Sequence, residues 1–264
     1  KTFKSFIVNY ANIMLTVSLI GSGKLSYNLS KALMSNKNFK VVEVYSRSNK
    51  NIKLFDKEIK FTKKIENLKE VDFYFLLSND DSIEEVSQKI KTKNGMILHS
   101  SGTMGIEILS NHLNFGVFYP LQTFSFSKKI DFTKTPILIE GNSQKSLEKL
   151  KELCRILEVE FEEVDSKKRL HYHLAASFAN NFTNHILSLT DELVNKFKLE
   201  KKFFIPIANE TFKKFQSNKS KESQTGPAVR NDVKTLKKHE EILKKSNYLN
   251  LYKIITKSIK KNDL

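Results

Sequence analysis

Apolar and polar positions fall into two regimes along the chain. The run Met14-Leu15-Thr16-Val17-Ser18-Leu19-Ile20 is of strand length and breaks abruptly into Gly21-Ser22-Gly23-Lys24-Leu25-Ser26. Leu25, Leu29, Ala32 and Leu33 then recur at helical spacing until Asn36-Lys37-Asn38 closes the segment. Residues 41–45 read as a second strand, and 71–77, 95–99, 116–119 and 136–139 as further ones, with a helix over 82–90. A helix over 144–157 and a strand over 160–164 complete the pattern. Continuous apolar strands separated by helices predict an α/β fold whose doubly wound, mainly parallel sheet is covered on both faces.

From Lys167 the period becomes helical and stays so. Leu170, Leu174, Phe178, Phe182, Ile186, Leu189, Leu193 and Phe197 trace one apolar stripe, longer than an ordinary globular helix. Such a helix is expected to pack at a domain or subunit interface. Helices are also predicted over 206–215, 229–245 and 248–260. The expected organisation is a sheet domain over 1–164, with 1–13 a loose extension, and an all-helical domain over 165–264 for substrate binding and dimerisation.

The strand–glycine–helix junction is a phosphate-binding signature. Gly21 suits a tight turn and Gly23 a close backbone approach, while Ser22, Lys24 and Leu25 open a helix whose N-terminus attracts an anion. The third small position is Ser26. With a second strand following at the right distance, this reads as a Rossmann dinucleotide turn. That second strand ends in Ser46-Arg47-Ser48, where an NAD-preferring site carries Asp or Glu. A guanidinium between two hydroxyls suits a 2′-phosphate and predicts NADP(H); the other reading of Arg47 is an ordinary solvated base.

Net charge, +16 with a pI near 9.6, first suggests nucleic acid or an anionic membrane. Of the 45 basic residues only Arg47, Arg155, Arg169 and Arg230 are arginine, and the Lys, Asn, Ile and Phe bias is that of an AT-rich genome. The lysine runs carry no nucleic-acid-binding signature. No apolar run reaches the roughly 18 residues of a spanning helix. Nucleic acid and membrane are therefore not expected partners. Cys154, the single cysteine, lies on an apolar helix stripe and is expected to be a buried structural thiol in a cytoplasmic protein. The first residues are basic and then apolar like a signal peptide, yet the apolar part runs into the strand the glycine turn requires.

In a doubly wound sheet, ligands lie beyond the carboxyl ends of the strands. Ser78 and Asn79, then His99-Ser100-Ser101-Gly102, then Tyr119-Pro120-Leu121-Gln122 stand there. Ser78, Asn79, Ser100, Ser101 and Gln122 are candidate cofactor residues; alternatively the hydroxyls cap the next helices. In the helical half, His173, Ser177, Asn180 or Asn181, and Asn184 share one helix face at α spacing. Reducing a carbonyl or imine leaves charge that a proton must neutralise. His173 is the candidate donor, with Asn181 holding a polar substrate group and Lys168 the second candidate. The plainer role for His173 is a helix-packing hydrogen bond. Asn180, Asn184, Thr225 and Arg230 are candidate substrate residues, Arg230 as a carboxylate clamp or a strut to Asp232. His171 and His173 point about 200° apart on a helix, so no metal pair is expected.

Gly21-Ser-Gly23, His99-Ser-Ser-Gly102, Phe118-Tyr-Pro-Leu-Gln-Thr-Phe124, His173-Leu-Ala-Ala-Ser-Phe-Ala-Asn-Asn181 and Thr225-Gly-Pro-Ala-Val-Arg230 together resemble one family. It comprises Rossmann-like NADP oxidoreductase-like proteins with a C-terminal helical domain of unknown function, related to ketopantoate reductase and pyrroline-5-carboxylate reductase. The resemblance implies an NADPH-dependent enzyme, a homodimer, reducing a small carboxylate-bearing 2-keto acid or imine, ketopantoate among them. The alternative is a sensor or scaffold that binds NADP(H) without turnover. Ketopantoate reductases carry a helix lysine with an asparagine one turn later, whereas here Lys168 is followed by Tyr172.

Overall fold

In the computed structural model, which describes residues 14–128, 130–217 and 220–261, eight strands form one sheet in the order β3-β2-β1-β4-β5-β6-β7-β8. The expected loose extension over 1–13 lies outside the described residues. The strands are β1 (Leu15–Ile20), β2 (Phe39–Tyr45), β3 (Lys60–Thr62), β4 (Phe73–Leu76), β5 (Met96–His99), β6 (Phe115–Pro120), β7 (Ile137–Gly141) and β8 (Phe161–Glu163). All neighbours pair in parallel except β6 and β7. This is the doubly wound fold the apolar runs predict. β3 is an addition: three residues at the sheet edge carry too short an alternation to be read from sequence.

Each central strand is buried on both faces. Val17 and Leu19 of β1 join Leu29 and Leu33 of α1 (Lys24–Met34) in one core. Leu150, Leu153 and Cys154 of α3 (Gln144–Ile156) fill the same side. Ile20, Tyr74 and Leu76 face the other side, under Ile83 and Val86 of α2 (Ile83–Gln88). Burial pushes the Cys154 thiol up to about 12, so it stays protonated and serves as packing.

Two compact units are present, residues 1–185 and 186–264. The change to helical period at Asp165 thus falls inside the first of them. α4 (Ser166–Ala176) is capped by Asp165, whose carboxylate accepts from the Lys168 N–H. One turn in, Arg169 is wholly buried, its guanidinium donating to Glu140 of β7 and to the Met104 carbonyl. Glu140 also accepts from the Ser166 N–H and hydroxyl. After α4 the chain passes through a π-helical segment, Ser177–Phe182, into α5 (Thr183–Lys196). The long helix is therefore present but not uniform: the π turn adds a residue, and α spacing does not carry across it.

In the second unit lie most of α5, then α6 (Ile205–Gln216), α7 (Val233–Leu243) and α8 (Leu249–Lys261). α7 starts four residues later than the period predicts. Asp232 is its cap, accepting from the Thr235 N–H at 3.1 Å, and Asn231 before it has φ 52°. Pro227 is in the preceding turn, not inside the helix. His239 of α7 and Tyr252 of α8 approach to 2.9 Å (Nδ1 to Oη).

Arg169→Ala leaves the Glu140 carboxylate without its cation and should cost about 3–5 kcal/mol in urea unfolding, because an unpaired buried charge is left behind. Replacing both Arg169 and Glu140 by Met should recover much of that. A single-variant loss below about 1 kcal/mol would show that the pair does not hold α4.

Candidate functional site

The strand order reverses between β1 and β4, and the carboxyl ends of β1, β2 and β4 surround a cleft of about 250 Å³. Gly21, Ser22, Gly23, Ser46, Arg47, Ser48, Ser78 and Asn79, all candidate cofactor residues of the sequence, line it. Gly21 has φ +126°, and a Cβ there would lie 2.5 Å from the Leu77 carbonyl oxygen, so the turn admits only glycine. A Cβ on Gly23 would meet nothing within 4 Å, which leaves its backbone open to a ligand. α1 begins at Gly23 with no side-chain cap, so its first-turn N–H groups are left for an anion. Ser26 is fully buried under the turn, in keeping with the small residue the helix packing needs. Lys24 and Leu25 follow on α1 but do not line the cleft.

Two hydrogen bonds join the glycine turn to the end of β2 and the segment after it, and a third holds that segment. Ser22 and Ser46 hydroxyls lie 2.8 Å apart, the Ser46 hydroxyl donates to the Ser48 carbonyl at 2.7 Å, and the Asn51 amide donates to the Ser22 carbonyl at 2.9 Å. Arg47 projects beside them and is exposed. The nearest acidic side chain on β2, Glu43, is buried and engaged, accepting from the Ser18 hydroxyl and the Lys69 N–H. The Ser78 hydroxyl is buried with no protein partner, a polar atom suited to a bound ligand. The cleft thus offers backbone N–H groups, hydroxyls and one exposed guanidinium to an anionic ligand. Tyr45, Leu77, Ser82 and Val86 also line it; as ordinary strand-end and helix positions they carry no sequence signal.

The ends of β5 and β6 meet α4 in a second cluster. Ser100 donates to the Phe118 carbonyl at 2.6 Å, and the Ser101 hydroxyl accepts from the Thr103 and Met104 N–H groups at 3.1 and 3.0 Å. Both hydroxyls have local partners, and Ser101 caps a turn. Gln122 is exposed, its side-chain oxygen accepting from the Thr123 N–H. His173 is half-buried, its Nδ1 3.0 Å from the Tyr119 hydroxyl. Lys168 is exposed and paired with Glu162, which holds the ammonium above its ordinary value. Asn180 donates to the Asn181 side chain at 2.8 Å within the π segment, and both are exposed with Asn184. Because the π segment begins between His173 and these amides, the α-spaced face over 173–184 is not a single face. Thr225 and Arg230 are exposed in the second unit; Arg230 stands before α7, where its charge adds to the Thr235 hydrogen bonds that hold Asp232 below the usual carboxylate range. Among the described residues no group of three or more His, Cys, Asp or Glu is placed to hold a metal, and no helix is long and apolar enough to cross a membrane.

His99 ends β5 and is wholly buried. Its Nδ1 accepts from the Ser101 N–H at 3.2 Å and its Nε2 has no hydrogen-bond partner. Burial, assisted by the Arg169 charge, lowers its pKa to about 4. The unfolded chain, with an ordinary value near 6.5, therefore binds the proton more readily. Stability from this group is complete above pH 6.5 and declines as pH falls toward 4, by about 3 kcal/mol in all. Urea midpoints across that window should fall in the native chain and fall less in His99→Gln; equal slopes would assign the effect elsewhere.

Residues 135–259 match a family model described as a domain of unknown function (DUF2520). The match opens two residues before β7, so it takes in the last strands of the sheet as well as the helices. No similar sequence was found among proteins of curated function. Among solved structures, the chain is similar to a "putative NADP oxidoreductase" from Bacteroides fragilis, at 30% identity and TM-score 0.85 over 94% of this chain and 98% of that one. A protein of Thermotoga maritima is similar at 20% identity and TM-score 0.67, over 93% of this chain and 97% of that one. The 1-pyrroline-5-carboxylate reductase of Streptococcus pyogenes is similar at 13% identity and TM-score 0.60, over 94% of this chain and 99% of that one. The last two likenesses concern the fold alone.

Proposed function

The chain belongs to the family of the Bacteroides fragilis protein, and from that premise we propose that it is an NADPH-dependent oxidoreductase reducing a small carboxylate-bearing 2-keto acid or imine. The observation that carries the cofactor is the cleft in which Arg47, between Ser46 and Ser48, stands where a carboxylate would select NAD. Gly21, Ser22 and Gly23 would hold the pyrophosphate against α1, with Lys24 adding positive charge. Bound there, a reduced nicotinamide supplies hydride. The chain supplies the proton, and His173 is the donor we favour: it is half-buried at the strand ends, whereas the Lys168 ammonium is tied to Glu162. Asn181 is the proposed holder of a polar substrate group. Pyrroline-5-carboxylate is the imine and ketopantoate the 2-keto acid to try first.

Titrated with NADPH, the protein should enhance nicotinamide fluorescence, and Arg47→Glu should weaken NADPH at least tenfold while changing NADH little. An equal loss for both cofactors would remove Arg47 from the 2′-phosphate. Ketopantoate or pyrroline-5-carboxylate should then oxidise the bound NADPH, with His173→Ala slowing turnover by about 10²-fold or more at unchanged NADPH affinity. Binding without oxidation by any keto acid or imine would instead favour a sensor.

A second copy is the proposed cover for the apolar stripe. Leu174, Phe178 and Phe182 are 57, 63 and 53% exposed, an unusual cost in water for side chains this large. Sedimentation velocity should show a dimer that Phe178→Glu with Phe182→Glu converts to monomer; a monomeric native chain would end this reading.

A further inference from the structure

We infer that Tyr119 sets the tautomer and direction of His173, accepting no role in the cofactor cleft itself but leaving the imidazole with its hydrogen on Nε2. Its consequence for catalysis rests on the proton-donor reading of His173; the pairing itself does not.

Tyr119 lies on β6, and its position is fixed by antiparallel pairing with Leu138 of β7. Among the described residues its hydroxyl has one hydrogen-bond partner, His173 Nδ1 at 3.0 Å, and the two rings meet edge to face with centroids 6.1 Å apart. A phenol can donate to or accept from that nitrogen; burial pushes it above its ordinary value, so it keeps its hydrogen, which in this proposal points to Nδ1, its one acceptor among the described residues. A ring nitrogen that accepts carries no hydrogen, and the neutral imidazole must then carry its hydrogen on Nε2.

Gly102 closes the other side. Its φ is outside the left-handed region, so its missing side chain is a matter of room. A Cβ at 102 would fall 2.6 Å from His173 Nδ1 and 3.0 Å from His173 Cβ. The helix carrying His173 is in turn fixed one turn earlier by Arg169 and Glu140. A strand, a loop and a helix thus each restrain one ring. Tyr119 is a positioning residue, acting through His173.

The test is ¹⁵N spectroscopy of the full chain with labelled histidines, at alkaline pH, with His173 assigned by its loss in His173→Ala. The native spectrum should show His173 as one tautomer, hydrogen on Nε2, with Nδ1 shifted by hydrogen bonding. Tyr119→Phe keeps the ring and removes the donor. It should return Nδ1 to its non-bonded position and leave a mixture of tautomers. Gly102→Ala keeps both polar partners but displaces the imidazole, and should do the same. A native ring with its hydrogen on Nδ1, or a Tyr119→Phe spectrum unchanged at His173, overturns the proposal. Because no substrate is needed, the outcome is separable from catalysis. If Tyr119→Phe shifts the tautomer while His173→Ala turns over normally, the pair stands and the donor reading falls.

Discussion

The buried ion pair of Arg169 with Glu140 is the contact on which the arrangement of the second cluster depends. A guanidinium removed from water is costly unless it is paired, and here a carboxylate on β7 and the carbonyl of Met104 take its two terminal nitrogens, while its Nε has no partner among the described residues. Those partners come from two places: the seventh strand and the loop that follows the fifth. α4 can therefore dock in one register only. His173, one turn on, inherits that register. The same charge also bears on His99, which remains neutral because burial and a neighbouring cation act in the same direction. One buried pair thus sets the position of one histidine and adds to the burial that keeps another neutral.

The cofactor cleft is built by different means. Nothing charged is buried there; backbone conformation and small side chains do the shaping. Gly21 has no room for a Cβ beneath Leu77, and short serine hydrogen bonds hold the end of β2 against the turn. Arg47 is the exposed element on that fixed frame, which is the placement that suits a group meant to find an anion arriving from solvent. Under the proposed cofactor reading, selectivity between phosphorylated and unphosphorylated ribose would rest on one long side chain, and affinity for the pyrophosphate on backbone.

This division explains which parts were legible in the sequence. The glycine turn, Arg47 and the alternation of apolar strands with helices are local signals, and eight of the residues expected at the cleft do line it. Tyr119 and His173 are 54 residues apart, and no periodicity announces their contact. Arg169 reads in sequence as one more base in a lysine-rich helix start, because its partner lies 29 residues earlier on a strand. α7 starts later than the sequence predicts because Pro227 imitates a first-turn proline, whereas the cap is Asp232. The π turn is hidden for a further reason: the stripe of Leu and Phe at α spacing is intact in sequence on both sides of it.

That π turn bears on how this helix serves two purposes. Polar residues His173, Ser177, Asn180 and Asn181 alternate with Leu174, Phe178 and Phe182 along one stretch of helix. In a regular α-helix the two sets would keep fixed opposite faces. Opening one turn to i→i+5 bonding over Ser177–Phe182 rotates everything beyond Ser177 relative to His173, and the Thr183 hydroxyl donates to the Phe178 carbonyl beside it. The aromatic pair Phe178 and Phe182, in edge-to-face contact at 4.9 Å, is kept together across that irregularity. An aromatic contact of this kind offsets part of the cost of a π turn, but it does so on the surface, where both rings are more than half exposed. The irregular turn, the amides and the uncovered rings therefore form one physical unit, so a change that regularises the helix would move the amides and the apolar face at once.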